Sequence, residues 1–184
     1  GLKDKVVLVS ASSEGLGFST AKALVAEGAR VWIGSRDEAK VSAALAKLRG
    51  VQGAGAAAGG VLDVSDAASI QKWVLGAAAA YGQSFDALVV NSGGPPPGRF
   101  SDFDDAAWQR AFDLLVLSAV RVIRSALPGL SVKGGSVLVC SSTSVREPIE
   151  GLILSNSLRS ATVAMAKTLA LELAPKGIRV NCLA

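Results

Sequence analysis

Short apolar runs alternate with longer amphipathic stretches along all 184 residues. Residues 5–10 (KVVLVS) read as a strand buried on both faces, and residues 30–35 (RVWIGS), 85–91 (FDALVVN), 135–141 (GSVLVCS) and 178–183 (IRVNCL) also read as strands. Between them, residues 15–27, 37–48, 65–81, 104–126 and 151–174 carry helical patterning. Gly28 is the stop signal of the first helix, Ser35 or Asp37 caps the second, and Ser65 or Asp66 caps the third. The fourth is expected to end before Pro128. Residues 50–60 (GVQGAGAAAGG) read as a flexible Ala/Gly-rich stretch, part of it a weak third strand running into Val61 and Leu62. This alternation predicts a single α/β domain: a doubly wound, mostly parallel sheet with helices on both faces and right-handed crossovers. Ligands of such sheets bind beyond the carboxyl ends of the strands. That directs attention to residues 10–17, 34–37, 63–64, 91–98 and 140–150.

Composition narrows the chemistry. Half the residues are hydrophobic and the formal charge is only +4, with the basic residues scattered. A nucleic-acid partner is not expected, because no contiguous basic stripe with stacking aromatics is present. No apolar run is long enough to span a membrane, and the first residues lack a signal-peptide layout. Cys140 and Cys182 have no metal-like spacing and read as small core residues, so a cytoplasmic protein without a metal site is expected. The chain has no histidine and one tyrosine, Tyr81. Serine–histidine triads and histidine metal sites are thereby excluded.

The first strand is followed at once by Ser10, Ala11, Ser12, Ser13, Glu14, Gly15, Leu16 and Gly17, which open a helix. Gly15 and Gly17 let the backbone approach a phosphate, and the free N–H groups of the helix start face it. The second strand ends in Ser35-Arg36 with no acidic residue, so Arg36 can pair with a 2′-phosphate. This favours NADP over NAD, while Glu14 argues slightly the other way. Asp63-Val64 follows the third strand, and the carboxylate suits either an adenine amino group or a helix cap. Asn91, Ser92 and Gly93 follow the fourth, where small residues admit a cofactor ring or ribose or simply form a turn.

With SASSEGLG, LDVSD, NSGG, VLVCSS and TVAMAKTLALELAPKGIRVN, the chain resembles the short-chain dehydrogenase/reductases over essentially its whole length, as a divergent 3-oxoacyl-ACP-reductase-like member. The resemblance implies hydride transfer between NADP(H), or NAD(H), and a carbonyl or alcohol substrate. It implies a catalytic serine at Ser142, with Ser141 the near alternative. The tyrosine and lysine of the family's YxxxK fall on Ser155 and Arg159, and its asparagine on Leu115. Three of the four tetrad positions are therefore changed. A serine hydroxyl is a far weaker acid than a phenol, and Arg159 stays protonated, so neither relays a proton. Arg159 can hold the nicotinamide ribose, polarise a carbonyl, or pair with a carboxylate or phosphate. Glu147, Glu150 and Cys140 are the candidate replacement proton donors, with Arg146 close enough in sequence to neutralise either glutamate.

The resemblance also implies a homodimer or homotetramer through the two long helices, with Leu158, Ala161, Met165, Thr168 and Leu169 on one face. Family members continue past the position of Ala184 through a lid and a further edge strand. Residues 1–184 are accordingly expected to be a Rossmann-like dinucleotide-binding domain truncated at the C-terminus. The competing expectation is a catalytically inactive nucleotide-binding or regulatory protein on the same scaffold.

Overall fold

Val6–Val9 (β1) is a run of four buried apolar residues, and its neighbours explain why it pairs on both sides. It lies between Arg30–Ser35 (β2) and Ala87–Val90 (β4), parallel to each. The computed structural model describes residues 1–184 apart from Ala54. Six strands form one parallel sheet in the order β3-β2-β1-β4-β5-β6, with β3 at Ala56–Val61, β5 at Gly135–Cys140 and β6 at Ile178–Leu183. The order reverses between β1 and β4. Chain crossing to opposite faces at that point opens a crevice at the carboxyl ends of the strands.

Helices cover both faces. Gly15–Ala26 (α1) and Glu38–Arg49 (α2) bury Ala21, Val25, Val41 and Leu48 against Val7, Val9 and Ile33. On the other face, Ala67–Tyr81 (α3), Ser118–Leu130 (α5) and Ile153–Leu173 (α6) close over Val6, Leu8, Leu88, Val137 and Val139. Successive strand residues alternate between the two cores because a pleat sends side chains to opposite faces. Trp73 anchors the second core, and its indole N–H donates to Ile33 O at 3.0 Å. Gly34 makes room for it, since a Cβ there would lie 2.5 Å from Trp73 Nε1.

Three expectations need correction. First, residues 56–61 are a full strand, not a flexible stretch, paired with β2 from Arg30↔Ala56 to Ser35↔Val61. The low strand propensity is overridden by tight packing, since a Cβ at Gly59 would meet Ile33 O at 2.5 Å. Part of the Ala/Gly-rich stretch, Ala54, lies outside the described residues. Second, residues 104–126 are not one regular helix. Asp105–Phe112 (α4) passes through a π-helical turn, Asp113–Leu117, before α5 begins. There the Ser118 N–H reaches back five residues to Asp113 O, and its hydroxyl donates to Leu114 O. Third, α5 runs past Pro128 to Leu130. Pro128 forfeits one bond, but the Ser131 N–H still reaches Leu127 O at 3.0 Å, and Ala126, Gly129 and Leu130 are buried. The caps of α2 and α3 are Asp37 and Asp66, each accepting two backbone N–H bonds, rather than Ser35 and Ser65. Among the described residues no helix is long and apolar enough to cross a membrane.

Candidate nucleotide and substrate site

Two buried serines tie the turn after β1 to its neighbours. The Ser10 hydroxyl donates to Asn91 O at 2.7 Å and accepts the Asn91 N–H at 2.8 Å. The Ser12 hydroxyl donates to Val9 O at 2.6 Å and accepts the Gly34 N–H at 3.0 Å. These bonds fix the turn to β4 on one side and β2 on the other. The side chain of Asn91 donates to Ala11 O at 3.0 Å, which holds the turn from the front. Ala11 itself stands at φ 45°, a left-handed conformation that glycine adopts more readily. Gly15 also has positive φ, and Gly17 packs so closely that a Cβ would lie 2.3 Å from Ala11 O.

The turn borders a cleft of about 540 Å³. Ser13, Glu14, Gly15 and Leu16 form one wall, Ser35 and Arg36 a second, and Asn91, Ser92, Gly93 and Gly94 a third. A Cβ on Gly15, Gly93 or Gly94 would meet nothing within 4 Å, so these residues face open space. Leu16 is 76% exposed at the mouth of the cleft. Glu14 is paired with Lys40 at 3.2 Å, which offsets its charge against an incoming phosphate. Lys40 is 26 positions away in sequence, so no local pattern around the glycine turn pointed to it. Leu62 and Leu114, also unforeseen, complete the lining.

Several sequence-selected residues lie outside that lining. Ser10, Ser12 and Gly17 stand behind the turn and shape it. Val64 is buried in the core beneath α3. The Asp63 carboxylate accepts the Ser65 N–H at 2.9 Å, while Asp66 caps the helix. A larger concavity of about 610 Å³ starts at the amino ends of β1, β4 and β5. It runs along the α1 face past Thr20, Leu24 and Leu138 and does not touch the glycine turn.

The second half of the site follows β5. Ser142 caps the short helical turn Thr143–Val145, its oxygen accepting the Ser144 N–H at 3.2 Å. That leaves its hydroxyl proton available. α6 packs against the same turn and carries Ser155 and Arg159 one helical turn apart. Arg159 Nε donates to Ser155 Oγ at 3.1 Å, and Nη1 to Cys140 O at 3.4 Å. Ser155 thus accepts from Arg159 and aims it. Burial pushes the Arg159 guanidinium below its ordinary value, opposed by the neighbouring Cys140. Leu115, 4% exposed, fills the wall beside it within the π-helical turn.

The proposed stand-in acids are placed poorly. Glu147 is exposed, and Glu150 is exposed and paired with Arg99 at 3.3 Å rather than with Arg146. Cys140 packs with Leu138 on the α1 face of the sheet, opposite α6, and burial pushes its thiol up. Tyr81 lies remote from the cleft, edge-on to Trp32, with its hydroxyl 3.4 Å from Val31 O.

A family profile described as short chain dehydrogenase matches residues 5–184. The chain belongs to that family. Dehydrogenase/reductase SDR family member 4 of Homo sapiens is 36% identical over 185 residues, covering 100% of this chain and 66% of that protein. The chain thus spans about two thirds of the length of the curated relatives it matches. Among solved structures, L-sorbose reductase from Gluconobacter frateurii, complexed with NADPH and L-sorbose, superposes with a TM-score of 0.93 at 28% identity. That match covers 99% of this chain and 69% of the reductase. A short chain oxidoreductase from Pseudomonas aeruginosa PAO1, described as containing an atypical catalytic center, matches at a TM-score of 0.89 and 27% identity, over 97% and 68% of the two chains.

Proposed function

We propose that the protein is an oxidoreductase that binds NADP(H), with NAD(H) the weaker alternative, and transfers hydride to or from a small carbonyl or alcohol compound. The observation that carries this reading is a shared residue. Ser92 lines both the glycine-turn cleft and the small cavity walled by Arg159, so the two lie side by side and a dinucleotide in the first would end next to Arg159. The fit is supported by the cradle itself: backbone against backbone at Gly17, open space at Gly15, Gly93 and Gly94. Ser13, Gly15 and Leu16 would hold the diphosphate, Ser35 and Arg36 the adenosine ribose, and Asn91, Ser92, Gly93 and Arg159 the nicotinamide half. Bound there, the nicotinamide supplies or accepts the hydride.

The chain's own part is electrostatic. The Ser142 hydroxyl would donate to a carbonyl oxygen, and the Arg159 cation would favour the negative charge that develops on it. Neither Ser142, Ser155 nor Arg159 releases a proton near neutrality. Solvent entering the open cleft therefore supplies it. The names of the relatives and the NADPH in the sorbose reductase favour turnover over a scaffold that has lost its chemistry.

The test is NADPH oxidation by the full chain across a broad panel of ketones and aldehydes. Turnover that falls at least about a hundredfold in Arg159→Ala is expected. Turnover appearing only after Ser155→Tyr with Arg159→Lys would reject the reading in favour of a regulatory protein. Arg36→Ala is expected to weaken NADPH binding about tenfold and NADH binding little, because only NADPH carries the 2′-phosphate. Equal losses for both nucleotides would contradict that role.

We also infer a homodimer or homotetramer. It is supported by the exposed Phe100, stacked edge-on to Trp108, and by Phe112, Ala161 and Thr168 facing outward from the long helices. The two free cysteines suit a cytoplasmic location.

A further inference from the structure

Arg159 is a half-buried cation without a counter-ion. None of the ion pairs among the described residues includes it. Of the carboxylates nearby, Glu150 pairs with Arg99, Asp113 accepts from Gln109, and Glu147 is exposed. Its two hydrogen bonds go to neutral oxygens, Ser155 Oγ and Cys140 O. Those bonds fix the plane of the guanidinium and leave three of its five N–H donors without a partner among the described residues. Its surroundings mix Leu115, Val90 and Val139 with the hydroxyl side chains of Ser92, Ser118 and Thr162, and hold no carboxylate. A charge held in such a place is unfavourable unless it meets an anion, and any anion it meets is held strongly. A lysine would present a point charge here; the planar fork instead matches two oxygens at once.

We propose that Arg159 is the receptor for a carboxylate on the substrate, and that the site takes carbonyl compounds bearing a carboxylate on the adjacent carbon. In a 2-oxo acid the carbonyl oxygen and one carboxylate oxygen lie side by side, the spacing that two N–H groups of one guanidinium can meet. Ser155 acts through Arg159 as its positioning residue. This rests on the reading of the adjoining cleft as a nicotinamide site, since that reading puts the reacting carbonyl beside Arg159.

The experiment uses unreactive probes on the full chain, with and without NADPH. Oxamate and ethyl oxamate differ in the carboxylate charge, and their dissociation constants are measured by calorimetry. Wild type is expected to prefer oxamate by about 10- to 100-fold. The preference should collapse toward one in Arg159→Gln, survive in part in Arg159→Lys, and weaken in Ser155→Ala. If NADPH binds but oxamate has no advantage, or keeps it in Arg159→Gln, the carboxylate site is overturned and the nucleotide reading stands. If oxamate binds in an Arg159-dependent way and NADPH does not bind, the carboxylate site stands and the nucleotide reading fails. Because the measure is a ratio within each variant, a general loss of affinity does not imitate it.

Discussion

Gly17→Ala is expected to lower NADPH affinity by about a hundredfold or more, equivalent to about 3 kcal/mol. The reason is geometric. The added methyl would lie 2.3 Å from Ala11 O and 2.8 Å from Ser12 Cα, and both atoms belong to backbone. Neither can rotate away as a side chain would. The turn must move outward, and that breaks the bond between Asn91 Nδ2 and Ala11 O, together with the alignment of the N–H groups at the start of α1. The core beneath the turn is left in place, so the variant should remain folded by circular dichroism. Unchanged NADPH affinity in Gly17→Ala would show that the turn does not hold the nucleotide.

The largest stability effect should come from Trp73→Ala. Trp73 is 2% exposed, packs beneath β2, and donates its indole N–H to Ile33 O. Removing it opens a cavity next to Gly34 and leaves that carbonyl without its side-chain donor. The expected loss is about 3–5 kcal/mol, or a fall in Tm of about 6–20 °C for a domain of this size. A thermal melt by circular dichroism checks it, and a fall of less than about 2 °C would contradict the packing described.

How much of this was legible in the sequence depended on whether a signal was local. The β2 and β6 bounds, 30–35 and 178–183, agree with the structure: β2 is an apolar run ended by Arg36-Asp37, and β6 starts directly after Gly177. β3 was hard to read because Ala and Gly carry little strand propensity, and its pairing with β2 and the space left by Trp32 and Ile33 decide it instead. The π-helical turn at Asp113–Leu117 was invisible, since one extra residue barely alters helical spacing. At the candidate site, the glycine turn was plain from strand, glycine and helix in succession. The internal duties of Ser10 and Ser12 were not, because their partners lie about 80 and 22 residues away in β4 and β2. The same distance hid the Glu14–Lys40 pair and the Arg99–Glu150 pair. Cys140 shows the gain from structure most directly. Its position at the carboxyl end of β5 made it a candidate acid, but the strand pleat turns its side chain to the α1 face.

The cleft beside the glycine turn should hold a nicotinamide dinucleotide, NADPH in preference to NADH. The measurement that tests it most directly is a fluorescence titration of the full chain with each nucleotide, following energy transfer from Trp32, Trp73 and Trp108 to the reduced nicotinamide. Saturable binding of NADPH, tighter than that of NADH, is the predicted result. No binding of either nucleotide to a chain shown to be folded would contradict it.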